Sequence, residues 1–257
     1  MRKDRTRRIA PHFRHLNAET QFDWNRRHTF ERFDDNPISA AIAGGAAGGS
    51  AGNENVLLTA ENAFEYHIMG TQTIKAPSKA ATGLDISMDN VDNDGIELTQ
   101  GILAGSKHAY TIGTDGPFFL RVKFSIADVS GTDDCAVGFR LAEAYQANID
   151  DYNDMACLNV ISGAIYMETI VGGASTVPTD TTDTWGDGDI MELKVVVSDA
   201  GVVTYQVDGA APTVVAAFTF TDTIVVVPFV HYLHATTTPG AIILQEWECG
   251  LVNKYNN

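Results

Sequence analysis

The side chains with the most chemistry to offer are carboxylates gathered in two short stretches. NVDNDGIELTQG, residues 90–101, starts like a calcium-coordinating loop, with Asn90, Asp92, Asp94 and Gly95 in place. It then breaks: position eight is Glu97 where an apolar residue belongs, and position twelve is Gly101 where a bidentate Glu is required. The stretch reads as an Asx-rich turn between strands. DTTDTWGDGD, residues 180–189, packs Asp180, Asp183, Asp187 and Asp189 into ten positions, an oxygen density suited to a hard cation. Its turn-forming residues favour a polar loop. No cofactor is expected; calcium is the one candidate, on Asp92, Asp94, Asp187 and Asp189.

Paired carboxylates also serve glycoside hydrolysis when alternation along one strand sets two or three of them on one face. EAYQANID, ELKVVVSD and EWECG all fail the spacing. Glu246 and Glu248 stand two apart with no third carboxylate following, the pattern of a solvated strand face. Nucleophilic catalysis has no G-x-S-x-G, and His67, His108, His231 and His234 lack a local Ser or Cys partner. His231 and His234, in the strand run VHYLH, fall on opposite faces, and a zinc site there would need ligands from afar. GGAAGGSAG lacks the Lys-Ser/Thr of a phosphate loop. Tyr145, Tyr152, Trp185 and Tyr232 offer sugar-stacking surfaces, with packing in the core as the plainer reading. The expectation is a protein that is not an enzyme.

These residues must be held by β structure. The 257 residues are rich in Thr, Val, Gly and Asp, and turn signals recur throughout. In FFLRVKFSIADVSG, Phe119, Arg121, Lys123 and Ser125 share one face and Leu120, Val122, Phe124 and Ile126 the other. MELKVVVSDAGVVTYQVDG reads as a hairpin, with strands at 191–198 and 202–207 around Asp199-Ala200-Gly201. FTFTDTIVVVPFVHYL holds two strands around Asp222, with Pro228 marking an edge or a bulge. ENAFEYHIM, GLDISM, GIELTQG, HAYTIG and ACLNVISGAIYMETIV supply others, and only LAEAYQANIDDYND has a helical composition. The sum predicts an all-β antiparallel sandwich or barrel. Cys135, Cys157 and Cys249 are odd in number and widely spaced, which predicts buried thiols in a reducing compartment, with a single Cys135–Cys157 or Cys157–Cys249 bond as the alternative. No stretch reaches membrane-spanning length, so no membrane partner is expected.

Charge divides the chain. Residues 1–32 hold nine Arg or Lys against four Asp or Glu, whereas the remainder holds eight against 29. Four segments follow: a basic N-terminal arm (1–38), an Ala/Gly-rich linker (39–55), a β domain (56–252) and a short tail (253–257). The arm contributes a basic cluster, Arg2, Lys3, Arg5, Arg7 and Arg8, then Arg26 and Arg27, with the aromatics Phe22, Trp24, Phe30 and Phe33 free to dock on a partner. HLNAETQFDWNRRHTFERF within it has a composition open to a short helix. An acidic body repels a polyanion, so nucleic acid is not the expected partner.

LKVVVSDAGVVTYQVDG, then FTF, VVVPFVHYL and GAIILQEWECG, resembles the C-terminal half of concanavalin-A-like lectin and glucanase jelly rolls. The resemblance covers roughly residues 56–252 and is carried by the hairpin; it implies an antiparallel jelly-roll β-sandwich with an extended N-terminal arm. FFLRVKFSIADVSGTDDCAVGFRLAEAYQANIDDYNDMACLNVISG, behind the Ala/Gly-rich leader, resembles in style the jelly-roll decoration and cement proteins of tailed bacteriophages. That second likeness implies a non-enzymatic virion protein in many copies, assembled in the host cytoplasm. Its basic arm would anchor it to the major capsid protein or another virion protein, and the sign asymmetry favours homo-oligomers. The alternatives are a carbohydrate-binding lectin-like module or phage fibre protein, and then a glycan-active enzyme.

Overall fold

The computed structural model describes residues 27–34, 38, 40–42, 55–237 and 240–252. They form two antiparallel sheets packed face to face as a jelly-roll β-sandwich.

The seven-stranded sheet is built from β1 (Thr29–Arg32), β5 (Ser78–Ala80), β6 (Gly83–Asp85), β9 (Phe118–Ile126), β14 (Ile190–Val197), β15 (Val203–Val207) and β17 (Ile242–Leu251). Its order is β15-β14-β9-β17-β6-β5, with β1 also paired to β17. The ten-stranded sheet takes β2 (Ala40–Ile42), β3 (Asn55–Leu58), β4 (Ala63–Met69), β7 (Gly95–Thr99), β8 (Tyr110–Thr111), β10 (Thr132–Leu141), β11 (Met155–Ile161), β12 (Ala164–Ile170), β13 (Val177–Thr184) and β16 (Val225–His234). Its order is β13-β12-β11-β10-β16-β7-β4-β3-β2, with β8 completing β16.

Alternation drives the layering. In β9 the burial pattern repeats every second residue, with Leu120, Val122, Phe124 and Ile126 inward as expected. The hairpin of β14 and β15 also forms as expected, with Gly201 at φ +80 in its turn. β11 and β12 close through Ser162-Gly163, both at positive φ, the backbone of a tight hairpin whose twist matches its strands. Between the sheets, Phe64 meets Trp247 edge-on at 5.5 Å, and Tyr110 stacks on Phe118 at 4.2 Å. All three cysteines are free and buried.

Several expectations change. Residues 29–32, read as free arm, form β1 against β17, pairing Thr29 with Cys249 and Arg32 with Glu246. Phe33 is fully buried against Phe64 at 5.7 Å, because the far end of β17 would otherwise leave an unpaired edge and a gap in the core. Residues 40–42, read as linker, pair with β3. Pro228 lies in a central strand, but β16 pairs with β8 at 225–226 and with β7 only from 229. The missing N–H therefore falls where the neighbour changes. Of the two strands expected around Asp222, only the second forms; the first leaves a single bridge, Val202 to Thr219. Asp180 and Asp183, read as loop, belong to β13.

LAEAYQANIDDYND is not a helix. Apart from one 3-10 turn at Ile149–Asp151 it is a loop, because its polar side chains bind its own backbone. Asn148 accepts from the Asp150 N–H, and Glu143 from the Asn153 N–H. Tyr145, Ile149 and Tyr152 point down onto the outer face of the ten-stranded sheet. Ile149 and Tyr152 form there a second small core with Ala136, Met155, Cys157, Ile170 and Phe229.

Candidate functional site

The outer face of the ten-stranded sheet is unusually polar for a covered surface. Register aligns Tyr166, Asn159, Ala136, His231, Glu97 and His67 in one row across β12, β11, β10, β16, β7 and β4. Glu97 is fully buried. Its Oε1 accepts from Arg140 Nη2 at 2.6 Å and Nε at 3.1 Å, and its Oε2 accepts from the Tyr152 hydroxyl at 2.6 Å. His231 Nδ1 stands 3.8 Å from the same Oε2. Burial alone would raise the Glu97 pKa, but Arg140 and His231 outweigh it and hold the carboxyl well below the usual range. Arg140 also donates to the carbonyls of Leu141 and Glu143, and its guanidinium lies 4.5 Å over the Tyr152 ring. One arginine thus ties the sheet to the loop above it. Tyr145 adds a stacked contact with His67 at 4.5 Å.

The loop so fixed walls one side of a cleft of about 520 Å³. Among the described residues its polar lining is Asn93, Asp133, Asp134, Asn148, Asp150 and Glu168, over an apolar floor of Met69, Ile161 and Leu233. Asn159 organises it from below. Just beyond Ala136 and Asn159, the last pair of the β10–β11 ladder, the Cys135 N–H donates to the Asn159 Oδ1 at 2.8 Å. That bond fixes the amide, so its NH2 faces outward and donates to Asp134 Oδ1 at 2.6 Å and Glu168 Oε2 at 3.2 Å. Two carboxyl groups from different strands are held by one buried amide.

Burial and the neighbouring charges of Asp134 and Asp150 outweigh the Asn159 hydrogen bond and push Glu168 up to about 7. Burial also raises Asp134, against the pull of His231 and Asn159. Glu168 is 5% exposed, and its Oε1 is not one of the buried side-chain atoms left without a partner. No Lys or Arg is among the described residues that line the cleft.

Of the residues singled out from sequence, His67, His231, Tyr145 and Tyr152 support this face, and the others lie elsewhere or outside the described residues. Arg2, Lys3, Arg5, Arg7, Arg8, Phe22, Trp24 and Arg26 fall outside the described residues. Arg27 pairs with Asp115, donates to the Ala109 carbonyl at 2.6 Å and covers the Tyr110 ring. Phe33 is core, and only Phe30 is exposed, at 42%, with Arg121 lying 5.8 Å from its ring. Asp94 is buried and accepts the Thr71 N–H at 2.6 Å, while Asp92 is exposed in a turn where Asn90 and Asn93 adopt positive φ. Asp187 accepts the Val129 N–H, and the Asp189 carbonyl accepts from Trp185 Nε1. Among the described residues no three His, Cys, Asp or Glu side chains converge as a metal centre. Glu246 and Glu248 both bind Arg121 at 2.9 Å on the outer face of the other sheet. Tyr145, Tyr152, Trp185 and Tyr232 are all buried.

Sequence reasoning missed Asp134, Asn159 and Glu168. The available signal was a polar residue interrupting an apolar strand, Asn159 in ACLNVI and Glu168 in IYMETI.

No family model and no curated protein matches this sequence. Among solved structures it is similar to the potassium-bound carbohydrate recognition domain of Emp46p, at 10% identity over 73% of this chain and 89% of that one, with a TM-score of 0.49. It is also similar to the Caenorhabditis elegans galectin LEC-6, at 15% identity over 55% of this chain and 89% of that one, TM-score 0.33. The ligand binding domain of botulinum neurotoxin serotype D matches at 7% identity over 87% of this chain and 49% of that one, TM-score 0.45. The jelly-roll sandwich stands on this chain's own strand order and register.

Proposed function

We propose that the chain is a carbohydrate-binding module, and that its site is the cleft between the outer face of the ten-stranded sheet and the loop at 142–154. The observation that carries the reading is the fixed set of Asp134, Asn159 and Glu168 at the base of that cleft. Sugars present hydroxyls that both donate and accept, and carboxylates with oriented side chains bind them without rearrangement. Half-buried Tyr166 shares the same sheet face and offers an aromatic surface beside the polar groups. The Glu97–Arg140 pair supports recognition indirectly, by holding the wall that carries Asn148 and Asp150. Binding without turnover completes the reading.

A glycan array with the intact chain tests it, alongside Asp134→Asn and Asn159→Ala proteins whose melting is checked first. Saturable binding to a glycan class, lost in the variants, is the expected outcome. Retention of no glycan, or equal retention by folded variants, would sink the proposal.

A further inference from the structure

Two loops meet beside the end of β16: residues 70–77, after β4, and residues 86–94, before β7. Asp94 is 3% exposed, and its Oδ1 accepts the Thr71 N–H at 2.6 Å. Asp89 Oδ2 accepts the Thr73 N–H at 2.7 Å and the Thr73 hydroxyl at 2.9 Å. The two carboxyl groups are thereby set side by side, within hydrogen-bonding contact of each other. Burial, with the Asp89 charge alongside, raises the Asp94 pKa. Among the described residues no Lys or Arg forms an ion pair with either group. His234 lies near both, but burial lowers its pKa and keeps the ring neutral. Its Nε2 donates to the Ser87 carbonyl at 3.0 Å, which leaves Nδ1 to accept from the Tyr232 hydroxyl at 2.9 Å.

Three further oxygens of these loops are buried without a hydrogen-bond partner: Asp89 Oδ1, Asn90 Oδ1 and Gln72 Oε1. Gln72 is 2% exposed and stands between Thr71 and Thr73, which hold the two carboxyl groups. Its Nε2 donates to the carbonyls of Met69 and Gly95, so its position is fixed and its oxygen is left over. Gly70 permits the close approach, since a Cβ there would collide with Asp94 Oδ1. Buried acceptors without donors are rare, and one positive ion would account for all three oxygens and for the unbalanced carboxyl pair.

We propose that Asp89, Asp94, Asn90 and Gln72 form a calcium site that ties the loop at 70–77 to the loop at 86–94. Two carboxylates and two amide oxygens are a hard donor set with no nitrogen or sulfur, which disfavours the softer transition metals. Calcium takes roughly six to eight oxygens in a flexible shell that water can complete, whereas magnesium demands a near-ideal octahedron. Asp92, which the sequence pattern would make a ligand, is exposed and takes no part. Gly70 and Asn93 also line the cleft described above, so the ion would stiffen one of its rims.

Calcium titration of the intact chain, stripped first with chelator and followed by calorimetry and by melting, tests this. One saturable site per chain is expected, and calcium at a hundredfold excess over its Kd should raise the melting temperature by about 5–10 °C. Asp89→Asn and Asp94→Asn should each weaken binding by at least about tenfold, because each removes one ligand charge. Each also removes the repulsion between the carboxyl groups, so without calcium these proteins should melt no lower than the calcium-free wild type. Asp92→Asn and Asp187→Asn should bind calcium as the wild type does. Should one of the first two variants fail to fold, the other decides. The assignment is overturned by the absence of saturable binding, by full binding in folded Asp89→Asn or Asp94→Asn protein, or by loss of binding in Asp92→Asn or Asp187→Asn instead. Magnesium or potassium that raises the melting temperature as far as calcium overturns the choice of ion.

Discussion

Glu97 and Arg140 meet at 2.6 Å with both side chains wholly out of water. They sit on strands separated by β16, so the pair reaches across a neighbour and over it, beside His231. Desolvating both charges is costly, and the fold offsets that cost with the Tyr152 hydroxyl and two loop carbonyls.

Removing one partner strands the other. Glu97→Ala should destabilise the domain by about 3–5 kcal/mol in denaturant titration, and a Glu97→Leu, Arg140→Met double variant should recover much of that loss. The Glu97 pKa is depressed in the folded state, so its stabilisation is complete above the ordinary Glu range and lost as pH falls through the folded value. Acid unfolding of the wild type should therefore include a step that the double variant lacks.

Glu168 has the opposite sign. Its folded pKa is raised to about 7, so between about pH 4.3 and that value the folded state binds more protons than the unfolded one. Stability should fall as pH rises through this window. Glu168→Gln should flatten that slope and melt above the wild type at slightly alkaline pH; a parallel pair of pH–stability curves would refute the assignment.

Asn159→Ala removes a partner from the Cys135 N–H and from two carboxyl groups at once. It should cost about 1–3 kcal/mol, more at neutral than at acidic pH because the exposed repulsion needs both carboxylates ionised. Urea titrations at the two pH values measure the difference.

Phe33 gives a direct test of where the domain starts. Phe33→Ala should cost about 3–5 kcal/mol, as for any large aromatic lost from a packed core. Deleting residues 1–34 should lower the melting temperature at least as much, since β1 then leaves the β17 edge open. Unchanged melting in both proteins would return this segment to the role of a detachable arm.

Much of the sandwich is legible in the amino-acid sequence. The alternation in β9 and the hairpin of β14 and β15 are local signals, and period two places each side chain without knowledge of its neighbours. The cleft was not legible, because Asp134, Asn159 and Glu168 meet through the register of β10, β11 and β12, which no single stretch encodes. The acidic stretches are dense in carboxylates, yet these mostly accept backbone N–H groups of other segments: Asp94 from Thr71, Asp187 from Val129 and Asp183 from Thr213. The loop at 142–154 misled for a related reason. Tyr145, Ile149 and Tyr152 have helical spacing, but Asn148 and Glu143 offered the backbone nearer partners.

The pairing of β1 with β17 ties residue 29 to residue 249, so this sheet cannot close until β17 has been made. Until Trp247 is made, Phe64 lacks the ring that meets it edge-on across the sandwich, and β9 lacks one of its two lateral neighbours. The nascent protein must carry that apolar surface until β17 emerges, and contacts of such sequence separation also form slowly. Its period of greatest exposure to aggregation and to chaperones is therefore the interval before β17 emerges.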